Sequence, residues 1–585
     1  MPNSAAKGLL SVLLISTSLM AFSEPDKKRE DREPEAATGV IEKQTVYAEQ
    51  AMVAAANPYA SKAGFNILKQ GGSAVDAAIA VQLVLTLVEP QSSGIGGGAF
   101  MLHWDKKSQL LTTFDGRETA PASATTDMFL DKNGRTMPWI KAVVGGHSVG
   151  VPGVLAGLKK AHDKYGKLPW AVLFKDAIAL AEDGFIVSPR LEKLVAMEFN
   201  PGITKLATIK NYFFPNGKAI KAGQRLKNTK LANVYRSLAK DGVSAFYQGW
   251  IAKKIVNAVQ NSTIAPGRLT LADMKNYQAK ELPAVCGPYR EFKVCGMAPP
   301  SSGGVAVIQI LGQLEKFDIA KLSMANAEFA HLFTQSSRLA FADRNHYIAD
   351  SSFVSVPTQG LVSKPYMAER AMLINADKDM GNAQAGSPQG ALAQAEDNAF
   401  ELPSTSHISI VDQDGNAISM TTSVEMGFGS AVMVEGFILN NQLTDFSLSP
   451  KRNGHWVANR LEPGKRPRSS MAPMMVFNQD KSLKLVLGSP GGSRIINYVA
   501  QTMIAMLDWQ LDPQAAINLP RLTNRNKVTT LEKGTSLVMI KAELEAKGHK
   551  VLIRDLNSGI QAIEVTSKGL RGGADQRREG VALGF

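Results

Sequence analysis

The sequence predicts an α+β fold of four layers, helix, sheet, sheet, helix, with the two sheets packed face to face. Three observations predict it. Ser404 to Val411 alternates polar and apolar side chains, and Ala417 to Val424 repeats that period after the turn-forming Asp412-Gln413-Asp414-Gly415-Asn416, so the two read as a hairpin. A second strand pattern covers residues 98 to 115. Helical patterns lie on either side of the strand-rich regions, which favours helices layered outside the sheets.

The chain opens on an address. Lys7 precedes the apolar run Leu9 to Phe22, and Ala21-Phe22-Ser23 offers small residues where a signal peptidase reads. Residues 1–23 are therefore expected to be a signal peptide and the protein periplasmic or secreted, an uncleaved anchor being the alternative. The run is short and rich in Ser and Thr, so no stable membrane span is expected after signal removal. From Glu24 to Glu35 every residue except two prolines is charged, and 24–44 reads as a disordered charged linker.

A net charge of +13 over 585 residues raises the question of nucleic acid. The basic residues are scattered and form no stripe interleaved with aromatics, so no nucleic-acid partner is expected. The charge reads as surface character that favours encounter with anionic peptides or an anionic envelope. The eight histidines are dispersed without metal-ligand spacing, so neither a metal nor a cofactor is expected. The two cysteines, Cys286 and Cys295, flank what reads as a tight hairpin. A disulfide is expected there in an oxidising compartment, two free thiols being the alternative.

Ser73 and Asp76 stand at capping-box spacing and open a helix to about Val88. It is apolar nearly all round and, at about fifteen residues, too short for a membrane, which suits burial between layers. Gly94-Ile95-Gly96-Gly97-Gly98 matches the loose dinucleotide pattern. It follows a helix and leads into the strand Phe100 to Trp104, the reverse of the order that chemistry needs. Gly146-His147-Ser148-Val149-Gly150 fits the nucleophile-elbow pattern, so a serine hydrolase using Ser148 is one alternative, although no Asp and His have a distinctive setting to complete it. Further helical patterns cover 153–165, 169–183, 228–240 and 327–347, the last amphipathic with Arg338, Asp343 and Arg344 at polar positions. Residues 376–403, rich in Ala, Gln, Gly, Asp and Asn, read as a mobile arm or an ordinary surface loop ending beside Thr405.

If the hairpin folds about Asp414, Ser423 lies opposite Thr405 and the two hydroxyls come within reach. Isolated, a threonine on a strand is commonplace. The motifs that follow are not: Gly427-Phe428-Gly429-Ser430, Leu439-Asn440-Asn441-Gln442-Leu443-Thr444-Asp445-Phe446-Ser447, Arg466-Pro467-Arg468-Ser469-Ser470-Met471 and Gly488-Ser489-Pro490-Gly491-Gly492-Ser493-Arg494. In this order they resemble the small subunit of γ-glutamyltransferases. The resemblance continues upstream through Glu89 to Gly98, Arg117-Glu118-Thr119-Ala120-Pro121 and Pro299-Pro300-Ser301-Ser302-Gly303-Gly304.

That family belongs to the N-terminal-nucleophile hydrolases, whose precursors cut themselves before the residue that becomes catalytic. The resemblance implies cleavage between Ser404 and Thr405, giving a large piece, 45–404, and a small piece, 405–585, of one composite domain. It implies an exported self-processing enzyme that takes the γ-glutamyl group of glutathione and related compounds as an ester on Thr405. Water, an amino acid or a peptide then accepts the group.

The chemistry is self-consistent. A threonine hydroxyl needs a base, and cleavage would expose the α-amino group of Thr405 itself, which titrates near ~8. His407 is then supporting structure. Leu483 to Gly488 reads as a strand, and Ser489 to Ser493 leads into a helical pattern, placing backbone N–H groups at a helix start. By resemblance Gly491 and Gly492 form the oxyanion hole, Ser423 orients the nucleophile, Arg117, Ser469 and Ser470 hold the substrate α-carboxylate, and Gln442 and Asp445 hold its α-amino group.

Two departures bear on substrate. Glutathione-active members carry Thr-x-Asn where this chain has Ser423-Val424-Glu425. Glu425 either reinforces ammonium binding or repels the carboxylate, and similar sequences occur among members resembling cephalosporin acylases, so a glutaryl acylase is the main alternative. The loop from Leu448 to Lys465 is shorter than the lid of some relatives, which implies a pocket open to water. The remaining competing class is a secreted binding protein that retains only the shell.

Overall fold

A computed structural model describes residues 39–585 apart from 393, 398, 400 and 403. The expected signal peptide, and the linker as far as residue 38, lie outside the described residues. In chain order the main strands are β1 (Val46–Ala48), β2 (Met52–Ala55), β3 (Gly98–Asp105), β4 (Leu110–Gly116), β5 (Lys280–Leu282), β6 (Val285–Tyr289), β7 (Phe292–Gly296), β8 (Ser406–Val411), β9 (Ala417–Ser423), β10 (Met474–Phe477), β11 (Leu483–Gly488), β12 (Gln561–Thr566), β13 (Gly569–Ala574) and β14 (Val581–Gly584). They form two seven-stranded sheets, one ordered β14-β2-β8-β9-β3-β4-β5 and the other β1-β13-β12-β11-β10-β7-β6. Each sheet takes strands from both sides of Thr405, so 45–404 and 405–585 share one body.

Period-2 alternation sets the layers. In the first sheet Val53, Ala55, Ile408, Ile410, Ile418 and Met420 join one core, while Met52, Ala54, Phe100, Leu102 and Trp104 join another. That second core lies between the sheets, because it also contains Met475, Phe477, Val486 and Ile563 of the other sheet. The alternate residues of those strands, Met474, Val476, Leu485 and Leu487, face a third core. Helices α1 (Pro58–Lys69) and α2 (Ala74–Val88) cover the first sheet, and α3 (Gly303–Leu314), α4 (Ala327–Tyr347) and α5 (Ile495–Leu507) cover the second. The four-layer sandwich is the expected one.

Local chemistry explains the elements that matter most. Ser73 caps α2 by accepting from Asp76 N at 3.2 Å, and Asp76 Oδ2 in turn accepts from Ser73 N at 2.9 Å. Such a cap is worth about 1 kcal/mol, and the whole of α2 is buried, as its composition requires. Cys286 and Cys295 face each other across the β6–β7 hairpin and form a disulfide.

Several expectations change. Residues 169–183 split into a 3-10 turn, Trp170–Phe174, and a helix, Lys175–Asp183. Arg338, Asp343 and Arg344 are not on a solvated face of α4 but buried, because α4 is packed on both sides and its polar groups find partners inside. Residues 376–403 carry no helix or strand among the described residues, yet Asp379 and Asp397 pair with Arg338 and Arg468 and pin the segment to the body. The end of the expected linker is also anchored: Lys43 donates to the carbonyls of Asp575, Arg578 and Gly580 at 2.6–2.7 Å. Among the described residues no helix is long and apolar enough to cross a membrane.

Candidate active site

Thr405 directly precedes β8, and the β8–β9 register, with Ser406 opposite Thr422, sets Ser423 across from it as expected. Thr405 is buried and donates its hydroxyl to Ser423 Oγ at a long 3.5 Å. Ser423 Oγ in turn donates to the Ser404 carbonyl at 2.7 Å and accepts from Glu425 N at 2.8 Å. The serine thus touches both the hydroxyl and the carbonyl of the Ser404–Thr405 junction. On the other side of β9, Ser423 pairs with Gly98, and a Cβ on Gly97 would lie 2.1 Å from the Ser423 carbonyl oxygen. The glycine run that mimics a dinucleotide loop therefore lets two backbones meet beneath Ser423.

The other motifs close around this point. Asn440 accepts from Gly150 N at 2.9 Å and Gln442 N at 3.0 Å and donates to the carbonyls of Gly96 and Gly150 at 2.8 and 2.9 Å, tying three loops together. Ser302 donates to the Ser469 carbonyl through both N and Oγ at 2.7 Å, which explains the Pro299–Gly304 motif as a support for the Ser469-Ser470 strap. Gly491, at φ +135, precedes a 3-10 turn, Gly492–Arg494, that runs into α5. A φ of that sign suits only glycine without strain.

Arg117, Thr405, Ser423, Glu425, Gln442, Asp445, Ser469, Ser470 and Gly492 line one cavity of about 20 Å³, room for little more than one water. Gly491 is not on its wall. Glu401 and Leu402, from the segment that leads to Thr405, line the cavity too, with Met471 and Ile495. Thus the sequence-derived set converges apart from Gly491, and the segment that precedes Thr405 lines the same cavity.

The charges are buried and paired. Arg117 Nη2 donates to Asp445 Oδ2 at 2.5 Å and to the Arg468 carbonyl at 2.8 Å, and its Nε donates to the Pro467 carbonyl at 3.2 Å. Arg117 and Asp445, expected at opposite ends of a substrate, are therefore bonded to each other. Gln442 Nε2 also donates to Asp445 Oδ2, at 3.1 Å. Burial, offset in part by Arg117, pushes the Asp445 carboxyl up to about 6. Burial and the neighbouring Asp445 raise Glu425 well above the usual carboxylate range, and Asn441 Nδ2 donates to it. Glu118, 3.6 Å from Arg117 Nη1, is pushed up to about 8 by burial.

Sequence reasoning missed Arg344, Glu401 and Arg468. Ser470 Oγ donates to Glu401 Oε2 at 2.5 Å, and Arg344 bonds both Glu401 and Ser470 Oγ, the latter at 2.7 Å. Burial would raise the Glu401 carboxyl, but the Arg344 and Arg468 guanidiniums outweigh it and hold it at about 2. Arg468 was in a recognised motif, but nothing in its spacing marks a charge turned inward. Two other residues take plain structural places. His407, whose ring bonds Thr421 Oγ1 at 2.9 Å and Ser409 Oγ at 3.0 Å, is held neutral by burial, down to about 3. Ser148 sits in a 3-10 turn and donates to the carbonyls of Val143 and Gly145 at 2.6 and 3.0 Å, so it has no strand-to-helix elbow and no base.

Comparison with known proteins places the chain in a family. The glutathione hydrolase proenzyme of Bacillus subtilis strain 168 is 36% identical over 596 residues, covering 100% of this chain and 98% of that protein. The glutathione hydrolase proenzyme of Escherichia coli K12 is 38% identical over 543 residues, with 91% of each chain covered. Among solved structures, a cephalosporin acylase from Bacillus halodurans superposes with a TM-score of 0.82 at 28% identity, over 93% of this chain and 97% of that one. The model of the γ-glutamyltranspeptidase family matches residues 60–585, a span that takes in every residue lining the cavity and all of both sheets except β1 and β2. The chain is a member of the γ-glutamyltranspeptidase family.

Proposed function

We propose that the chain is an exported precursor that cuts itself before Thr405 and then uses Thr405 to hydrolyse or transfer γ-glutamyl groups from glutathione-type amides. The observation that carries this reading is the 2.7 Å bond from Ser423 Oγ to the Ser404 carbonyl beside the Thr405 hydroxyl. Attack of Thr405 Oγ1 on the Ser404 carbonyl carbon puts negative charge on the oxygen that Ser423 already contacts. The Ser404–Thr405 C–N bond then breaks as the nitrogen takes the hydroxyl proton, leaving an ester that water opens. The freed α-amino group, with an ordinary pKa near ~8, becomes the base for turnover.

In turnover the same hydroxyl attacks the γ-carbonyl of a donor, and the oxyanion is assigned by resemblance to the backbone of Gly491 and Gly492, of which Gly492 lines the cavity. The amine departs, and water or an amino acid or peptide amine resolves the ester. Asp445 offers a carboxylate and Gln442 an amide oxygen to the donor's ammonium, and Glu425, Arg117, Ser469 and Ser470 line the same cavity. Incubating matured protein with a γ-glutamyl anilide and trapping the acyl-enzyme by acid tests the reading. The acyl group should sit on the peptide that begins with Thr405; its appearance elsewhere, or no release of amine, would overturn it. The glutaryl acylase reading keeps one observation in its favour, Glu425 on the cavity wall where glutathione-active relatives carry Asn.

A further inference from the structure

One buried turn holds the chain on both sides of the Ser404–Thr405 bond. That turn, Glu89 to Ser93, directly follows α2. Its Gln91 carbonyl accepts from Ser404 Oγ at 2.5 Å and, on the other lone pair, from Phe428 N at 3.0 Å. Its Ser92 carbonyl accepts from Val424 N at 3.2 Å, next to Ser423. Ser93 Oγ donates to Ser406 Oγ at 3.0 Å. The turn is itself braced: Ser92 N and Ser93 N donate to the Glu89 carbonyl at 2.9 and 3.1 Å, and Glu89 Oε2 accepts from Gln91 Nε2 at 2.6 Å and from Ser92 Oγ at 3.3 Å. Ser404 and Ser406 are fully buried, so water does not compete for these bonds.

For Thr405 Oγ1 to reach the Ser404 carbonyl carbon, the backbone on either side must keep one arrangement while the hydroxyl turns. Ser423 fixes the carbonyl oxygen of Ser404, but one contact leaves the residue free to pivot about it. The Gln91 carbonyl supplies the second contact on Ser404, and Ser93 fixes the chain just beyond Thr405. Holding the reacting groups in advance removes the entropy that the attack would otherwise cost. We propose that the Glu89–Ser93 turn is the clamp for self-cleavage, and that Ser404, held through its hydroxyl, and Ser93 are positioning residues for that step. The inference rests on the reading that the chain cuts itself before Thr405. It also separates two jobs: Ser404 becomes the end of the large piece once the bond is cut, so its bond to Gln91 serves cleavage and no step of turnover.

The test follows the decay of the full-length band in wild type, Ser404→Ala, Ser93→Ala and Ser419→Ala. Ser404→Ala and Ser93→Ala should slow self-cleavage about 10- to 100-fold. Ser419→Ala is the control: it deletes an equally buried bond of the same hairpin, Ser419 Oγ to the Leu487 carbonyl at 3.0 Å, away from the junction, and should cut at the wild-type rate. Once cut, Ser404→Ala should match wild type in kcat/KM on a γ-glutamyl anilide. The same substitutions placed in Thr405→Ala, which stays whole, report folding alone, and Ser404→Ala should lower Tm there no more than Ser419→Ala does. Cleavage of Ser404→Ala or Ser93→Ala at the wild-type rate, an equal slowing by Ser419→Ala, a matured Ser404→Ala whose kcat/KM falls as far as its cleavage rate, or a larger loss of Tm than the control's would overturn the proposal. A wild type that stays whole would overturn the proposed function and the clamp with it; a wild type that cuts no faster than Ser404→Ala would overturn the clamp alone.

Discussion

Ser423 donates to the carbonyl of Ser404 at 2.7 Å, so the group that bears charge when Thr405 attacks is already hydrogen-bonded in the uncut chain. Losing one such donor typically costs about 10²–10³-fold. Ser423→Ala should slow self-cleavage by that order, read as the decay of the full-length band with time. Cleavage at the wild-type rate would remove Ser423 from the mechanism.

Gly97 supports the same serine from behind. Its added Cβ would meet the Ser423 carbonyl oxygen at 2.1 Å, and that oxygen belongs to backbone, which cannot swing away as a side chain would. Gly97→Ala should therefore impair processing at least as strongly as Ser423→Ala and lower Tm as well. A variant that matures normally would show that the β3–β9 contact tolerates movement.

Asp445 should make donor choice depend on pH. Asp445 ionises near 6 rather than in the ordinary carboxylate range, so below that pH it is protonated and offers an ammonium little. The ratio of kcat/KM for γ-glutamyl to glutaryl donors should rise from pH 5 to 7 and level off above. Taking the ratio cancels the titration of the Thr405 amine, which both donors share. Asp445→Asn should flatten the rise, and a ratio that falls with pH would contradict the role given to Asp445.

With both charges of an amino acid to satisfy, the site should prefer γ-glutamyl over glutaryl amides of the same leaving group by several-fold at neutral pH, because an ammonium adds a charge-assisted bond to Asp445, whose Oδ1 has no hydrogen-bond partner among the described residues beside the Arg117 pair, and a glutaryl group adds none. Burial and the neighbouring Asp445 raise Glu425 well above the usual range, which weakens any repulsion of the donor's carboxylate, and Asn441 Nδ2 donates to it. Glu425→Asn should therefore keep the preference. Equal or better turnover of the glutaryl donor by wild type would move the assignment to the acylase.

Much of this was legible because it is periodic or local. The alternation at Ser404 to Val424 located the hairpin and its register, and with them the Thr405–Ser423 pair. The Ser73–Asp76 cap and the apolar run behind it located α2. Buried charge was not legible. Arg338, Asp343 and Arg344 carry the signature of a solvated helix face, and only packing on the far side turns it inward. Glu401 stands in an aperiodic stretch, where nothing in the sequence says that its carboxylate meets Arg344 from α4 and Ser470 from a strap about seventy residues on. The Arg117–Asp445 pair was missed for a related reason: the motif order named both residues but not their contact.

On the proposed function the chain itself frees Thr405. Purified wild-type protein and Thr405→Ala, incubated side by side and analysed by denaturing gel and N-terminal sequencing, test it most directly. Wild type should separate into two fragments, the smaller beginning Thr405-Ser406-His407, while Thr405→Ala stays one chain. A wild type that remains whole, or a small fragment that begins elsewhere, would contradict the account.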